Sequence, residues 1–122
     1  MSKKDLEERL INFAVAAIFI AQTMNKNYAG NHLSEQITRS SSSAALNYGE
    51  AKSAESRRDF IHKIKIVLKE LRETHINLKT IFRANLNPNK EKIEEIIQEC
   101  NELISIFVTS VQTARRNMEK TK

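Results

Sequence analysis

The fold depends on how residues 36–51 are interpreted, a stretch that reads Q-I-T-R-S-S-S-S-A-A-L-N-Y-G-E-A. The run of serines from Ser40 to Ser43 resembles a flexible linker, which would divide the chain into two halves. A helix is the alternative, and the spacing favours it. Polar residues recur at steps of 3, 4, 4 and 3, and they fall within an arc of roughly 80° on a helix. This polar stripe consists of Gln36, Arg39, Ser43, Asn47 and Glu50.

An apolar stripe lies beside the polar one and supports the helix. A linker has no physical reason to keep two helical registers at once. We therefore predict that the serines are helical, with Ser42 facing solvent and Ser43 inside the polar stripe. Serine is a mediocre helix former, so packing must hold this helix in place. The apolar stripe contains Leu33, Ile37, Ala44, Tyr48 and Ala51.

The polar stripe itself has two interpretations. It is either a hydrogen-bonded seam, inside the fold or at a subunit interface, or simply the solvated side of the helix. Arg39 and Glu50 lie about 16 Å apart along one helix, so they cannot pair with each other. If they are buried, they need partners on another helix or on another subunit.

Capping and turn signals divide the whole chain into helices. Ser2 and Ser56 each precede an acidic residue by three positions, which is capping-box spacing. Gly30 lies in an asparagine-rich stretch that reads as a turn, and Asn87 followed by Pro88 reads as a helix N-cap. Short turns between long helices predict an all-α, antiparallel up-down-up-down four-helix bundle in a single domain. The predicted helices are about 3–25, 31–53, 56–84 and 88–118.

Composition agrees with a helical globular protein. Of 122 residues, 40% are hydrophobic and 29% charged, with two glycines, one proline and a formal net charge of +5. Cys100 has no second cysteine to pair with, which fits a reduced, cytoplasmic setting. The apolar run at residues 10–21 is too short to cross a bilayer and follows acidic residues, so we expect a buried helix and no membrane partner.

Together, the stretch at 36–51, R-D-F-I at 58–61 and L-K-E-L at 68–71 resemble the bacterial four-helix-bundle protein family encoded within intervening sequences of 23S ribosomal RNA genes. The resemblance covers about residues 6–118. This chain has Ala45 and Ala51 where that family often has proline and glycine. The family implies a ring-shaped homopentamer. It is related to the accessory variability proteins of diversity-generating retroelements, which engage nucleic acid and a reverse transcriptase. The residues that carry the resemblance are Gln36, Arg39, Ser43, Asn47, Glu50, Phe60 and Glu70.

The first helix is apolar on two sides, although an outer helix of a monomeric bundle needs only one apolar face. An exposed apolar patch usually marks an interface, so the second face predicts self-association. The alternative is that other segments of the same chain cover it. This second face consists of Ile11, Val15, Ile18 and Phe19.

Positive charge concentrates on the third helix. Six cations lie within an arc of roughly 80° along about 38 Å of helix. Such a line favours contact with a phosphate backbone of RNA or DNA; a merely solvated helix face is the alternative. Aromatic residues do not interleave with it, so binding through base stacking is not expected. The cationic line consists of Arg58, Lys65, Lys69, Arg72, Lys79 and Arg83.

The sequence offers no recognisable catalytic machinery. A two-metal bundle site needs two Glu-x-x-His motifs, and the nearest approach here is a single Asp59-Phe60-Ile61-His62. His75 and Cys100 lie in apolar stripes, where we expect a hydrogen-bonded histidine and a packed thiol. Glu70 and Glu73 are read as partners for Arg or Lys. We therefore predict no enzyme activity, no metal and no cofactor.

Two functions remain open at this stage. The leading hypothesis is a homo-oligomer that binds nucleic acid with little sequence preference. The alternative is a scaffold ring that presents surfaces to a protein partner and has no role with nucleic acid.

Overall fold

The computed structural model describes residues 3–120. Within that range the chain is all-α, with four helices and no strand. The predicted cap at Ser2 lies outside the described residues. The helices are α1, Lys3–Gln22; α2, Tyr28–Lys52; α3, Arg57–Arg83; and α4, Lys90–Lys120.

The serines belong to α2, as predicted. Ser40 and Ser41 are fully buried, Ser42 is exposed and Ser43 is half-buried. The Ser40 Oγ lies 2.6 Å from the Thr74 Oγ1 of α3. The Ser41 hydroxyl donates to a carbonyl one turn back in α2, at 2.6 Å. Each buried hydroxyl therefore has a hydrogen-bond partner, which offsets the cost of taking it out of water.

Contacts between helices that follow each other along the chain show that each helix runs antiparallel to the next. Early residues of each helix meet late residues of the next, and α4 returns to α1. The pairs are Glu7 with Lys52 and Ala21 with Ser34 for α1 and α2; Arg39 with Glu70 and Glu50 with Lys63 for α2 and α3; and Leu71 with Cys100 and Phe82 with Lys90 for α3 and α4. Arg9 of α1 pairs with Glu99 of α4, and Ile20 of α1 pairs with Asn87 in the connection before α4.

The core follows the apolar stripes of the sequence. Buried side chains from all four helices form one cluster, which includes Leu10 and Ile20 of α1, Ile37 of α2, Leu71 of α3 and Phe107 of α4. The Tyr48 ring packs edge-on against the Phe107 ring, with centroids 5.5 Å apart. Among residues 3–120, no helix is both long enough and apolar enough to cross a membrane.

The start of α2 differs from the prediction. Helix α1 ends at Gln22 rather than near residue 25, and α2 begins at Tyr28 rather than near residue 31. Asn27 is the N-cap, because its side chain accepts a hydrogen bond from the Gly30 backbone N–H at 2.7 Å. Gly30 therefore lies in the first turn of the helix. A Cβ there would lie 1.9 Å from the Asn25 carbonyl oxygen, so the close approach requires glycine.

The predicted cap at Asn87 is also wrong. Helix α4 begins at Lys90, and Asn87 is 1% exposed. Its Nδ2 donates to the Ile20 carbonyl and to the Thr23 Oγ1, both at 2.9 Å. Its Oδ1 accepts from the Asn89 N–H at 2.8 Å, so the local signal marks a turn just before α4 rather than the helix start. The amide nitrogen joins the α3–α4 connection to the end of α1. The Ser56 cap of α3 is confirmed by its bond from the Asp59 N–H at 3.0 Å.

Candidate nucleic-acid interface

The cationic line lies on the solvent side of α3. The opposite side of this helix is buried against α2 and α4 through residues such as Val67, Leu71 and Leu78. Helix α3 is continuous from residue 57 to 83, so the six cations keep the register that the sequence predicts. Lys79 is half-buried, and the other five cations are exposed: Arg58, Lys65, Lys69, Arg72 and Arg83.

The salt bridges of the described chain leave this line unpaired. Within residues 5–120 the cations that bridge to carboxylates are Arg9, Arg39, Lys52, Lys63 and Lys92, and none of these belongs to the line. The charges of the line are therefore available to an external anion. Ile76, which is 61% exposed, falls in the same arc of the helix and was not singled out from the sequence.

The polar stripe of α2 runs along its contact with α3. The Arg39 guanidinium donates to Glu70 at 3.1 Å and to Glu73 at 2.9 Å. Glu50 accepts from the Lys63 Nζ at 2.6 Å. Arg39 and Glu50 thus find partners on a neighbouring helix of the same chain, as one of the two predicted arrangements requires. A role at a subunit interface stays a prediction.

The other members of the stripe bond locally. The Asn47 amide donates to the Ser43 carbonyl at 2.9 Å and to its Oγ at 3.1 Å. The Gln36 side-chain oxygen lies 3.5 Å from the Arg39 guanidinium, at the limit of a hydrogen bond. The polar stripe of α2 is therefore partly exposed to solvent and partly hydrogen-bonded to α3, and its strongest contacts are those of Arg39.

The contacts of Arg39 shift the pKa values of two side chains in this cluster. The Arg39 hydrogen bond holds the pKa of the Glu73 carboxyl below its ordinary value, and the reciprocal contact raises the pKa of Arg39. Glu70 is 5% exposed and is a buried carboxylate that Arg39 partners. Both glutamates had been expected to pair with Arg or Lys, and the structure confirms it.

The second face of α1 is uncovered by the rest of the described chain. Ile11 is 42% exposed, Val15 60% and Phe19 43%, while Ile18 is half-buried. Leu46 of α2, 65% exposed, shares a shallow groove with Ile11 and extends this patch. Since the described segments leave Ile11, Val15, Phe19 and Leu46 exposed, the patch is available for an intermolecular contact.

The half-buried His75 of α3 and the buried Cys100 of α4 both have shifted pKa values. Burial, and then the charge of Lys79, lower the pKa of His75. Its Nε2 is buried with no hydrogen-bond partner among the described residues, so the expected hydrogen-bonded histidine is wrong. Burial raises the pKa of Cys100 to about 12, and its Sγ donates to the Leu71 carbonyl at 3.2 Å. Such a thiol is a poor nucleophile.

Metal chemistry finds no support in the described part of the chain. Residues 3–120 contain no group of three or more His, Cys, Asp or Glu side chains arranged to hold a metal ion. Asp59 and His62 are both exposed.

Known proteins resemble this chain in both sequence and fold. The family described as 23S rRNA-intervening sequence protein matches residues 4–109. A crystal structure of a protein of unknown function from the S23 ribosomal protein family of Bacteroides thetaiotaomicron is 29% identical to this chain. It superposes with a TM-score of 0.77, covering 87% of this chain and 97% of that protein. No curated protein matches. The chain belongs to the 23S rRNA-intervening sequence protein family.

Proposed function

We propose that this chain is a non-enzymatic homo-oligomer that binds the backbone of RNA or DNA through the cationic line of α3. The observation that carries the proposal is the state of that line: five of its six cations are exposed, and none forms a salt bridge within residues 5–120. A packed helix holds them along about 38 Å. A rigid row of unpaired cations suits a row of phosphates, whose bound counterions it would displace.

The chemistry of the line favours phosphate contacts over base contacts. The exposed apolar side chain beside the line is the aliphatic Ile76, and the exposed aromatic Tyr28 lies on α2 rather than near the line. Without stacking aromatics, binding should depend little on sequence and steeply on salt. The line contributes a modest number of contacts, so a single chain should bind weakly.

Self-association would strengthen such weak binding. The apolar patch of Ile11, Val15, Phe19 and Leu46 is a candidate subunit interface, because burying it removes apolar surface from water. Several copies of the line would then act together on one nucleic acid. The family resemblance implies a ring of five subunits.

Binding to labelled RNA and DNA, single-stranded and duplex, tests the proposal by fluorescence anisotropy. Affinity should fall by at least about tenfold between about 50 and 200 mM salt. Lys65→Glu with Arg72→Glu should weaken binding by about tenfold or more. Lys26→Glu with Arg116→Glu is the matched control, because both residues are exposed, lie outside the line and change the net charge equally. An absence of affinity at low salt, or an equal loss in both variants, would overturn the proposal.

A scaffold function is the second candidate, and the exposed apolar patch favours it. A protein that assembles through α1 and binds a protein partner would keep its oligomeric mass and show no affinity for nucleic acid. Absorbance provides a simple check. The chain has two tyrosines and no tryptophan, so co-purified nucleic acid would dominate its ultraviolet spectrum. A clean spectrum at low salt supports the scaffold.

A further inference from the structure

We propose that Arg39 is a positioning residue for the cationic line: it holds the Glu73 carboxylate toward α2 and so leaves the Lys69 ammonium free to meet phosphate. The inference rests on the proposed function, because it explains how the centre of the line stays available. Arg39 itself belongs to α2 and is not a member of the line.

Glu73 is the carboxylate best placed to neutralise the centre of the line. Lys69 and Glu73 are one turn apart on α3, a spacing at which Lys and Glu attract each other. Lys65, Arg72, Lys79 and Arg83 have no acidic residue three or four positions away in either direction, and Arg58 has only Glu55. A lysine–glutamate pair inside α3 would therefore occupy one of the most central cations.

In the structure this pair does not form, because Glu73 is held by Arg39. The Arg39 Nη2 lies 2.9 Å from the Glu73 Oε2, and its Nη1 lies 3.1 Å from the Glu70 Oε2. Glu70 is anchored, since its side chain is 6% exposed, whereas that of Glu73 is 37% exposed. One guanidinium thus bridges a buried carboxylate and a partly exposed one, which suits its planar fork of donors.

Lys69 nevertheless acts electrostatically on the Glu73 carboxylate. Arg39 is the main cause of the lowered pKa of Glu73, a hydrogen bond with Glu70 adds to it, and Lys69 makes the smallest contribution in the same direction. Lys69 itself forms no salt bridge among the described residues. Without Arg39, the Glu73 carboxylate has Lys69 one turn away as a partner, and the line would lose one cation.

A double-mutant cycle on nucleic-acid binding tests this. We expect Arg39→Ala to weaken binding of a labelled RNA duplex by about fivefold and to reduce the salt slope by about one unit, as for one lost phosphate contact. Glu73→Gln in the wild-type background should change affinity by less than about twofold. Glu73→Gln in the Arg39→Ala background should restore affinity and slope to near wild type. Lys69→Gln should weaken the wild type but not Arg39→Ala.

Each result of the cycle bears on the inference. A failure of Glu73→Gln to rescue Arg39→Ala would overturn it, because Arg39 would then contact phosphate directly or act only on folding. Unchanged binding by Arg39→Ala would overturn it too. Wild-type protein that binds no nucleic acid overturns the proposed function and this inference together. Circular dichroism checks folding. If Arg39→Ala unfolds because Glu70 is left buried and unpaired, the same cycle is run with Glu70→Gln in every protein.

Discussion

Asn87, in the connection before α4, donates a hydrogen bond to the backbone carbonyl of Ile20, 67 positions earlier in the chain, at 2.9 Å. The donor is 1% exposed and the acceptor residue is fully buried. A second bond from the same amide reaches the Thr23 Oγ1 at 2.9 Å, and Thr23 in turn accepts from the Asn89 amide. One side chain thus fastens the end of α1 to the α3–α4 connection.

Asn87→Ala should therefore destabilise the protein by about 1–3 kcal/mol, because it removes a buried amide and both hydrogen bonds that this amide donates, to the Ile20 carbonyl and to the Thr23 Oγ1. Urea unfolding followed by circular dichroism measures the loss. Asn117→Ala, on an exposed residue of α4, is the control and should change little. An Asn87→Ala variant as stable as the wild type would show that water replaces the lost donor.

The ion pair of Glu73 predicts a pH dependence of stability. The folded-state pKa of Glu73 is lowered, chiefly by Arg39, so its contribution is present above its ordinary value of 4.5 and is lost as pH falls through the lowered value. Stability of Glu73→Gln should approach that of the wild type as the pH is lowered below 4.5. Unfolding free energies of both proteins across acid pH test this.

The control for that experiment is the exposed Glu94 of α4, which forms no salt bridge in the described chain. Glu94→Gln makes the same charge change without breaking the Arg39 contact. The pKa of His75 is also lowered, so the contribution of this residue to protein stability is lost as pH falls below the ordinary histidine pKa of 6.5. His75 is present in all three proteins, so its effect cancels in the comparison. A gap between wild type and Glu73→Gln that is constant with pH would contradict the prediction.

Cys100 should resist thiol reagents. Because burial raises its pKa to about 12, almost no thiolate exists near neutral pH, and the side chain is fully buried. Labelling of the native protein with a disulfide reagent should be slow and should follow the rate of local opening, whereas labelling in denaturant should be immediate. Rapid modification of the native protein would show that α3 and α4 separate readily.

The apolar patch predicts a change in assembly. Val15→Asp with Phe19→Asp places two charges on a face that we propose is buried between subunits, so the solution mass should fall toward that of one chain. Light scattering measures it. Asn101→Asp with Gln112→Asp, on exposed residues of α4 and outside the patch, makes the same charge change and should leave the mass unchanged. A wild-type protein that is already monomeric would remove the oligomer from the proposed function.

Sequence patterns predicted the helices well because the relevant signals are local. The Ser56 cap and the apolar periodicity of α3 and α4 both depend on residues within one or two turns. Both stripes of α2 were also visible, since a regular 3.6-residue repeat places their members on defined sides of the helix.

The sequence predictions that were wrong, or could not be made, concern residues whose partners are distant in the chain or residues beside a competing local signal. Asn87 reads as a cap until α1 is known to lie beside it. Gly30 reads as a turn residue, but the cap at Asn27 starts the helix earlier, and the close approach of Asn25 explains the glycine. The choice of Glu70 and Glu73 as partners of Arg39 depends on how α2 and α3 are aligned. Only the paired structure fixes that alignment.

The run of serines from Ser40 to Ser43 also affects the order in which the helices form. Ser41 and Ser42 both turn their hydroxyls back onto carbonyls four residues earlier, and serine adds little intrinsic preference for helix. Helix α2 is therefore not autonomous: its centre is held by Thr74 and the surrounding core. A peptide of residues 28–52 alone should remain a coil in water. We therefore expect this segment to become helical at the same time as it packs onto α3.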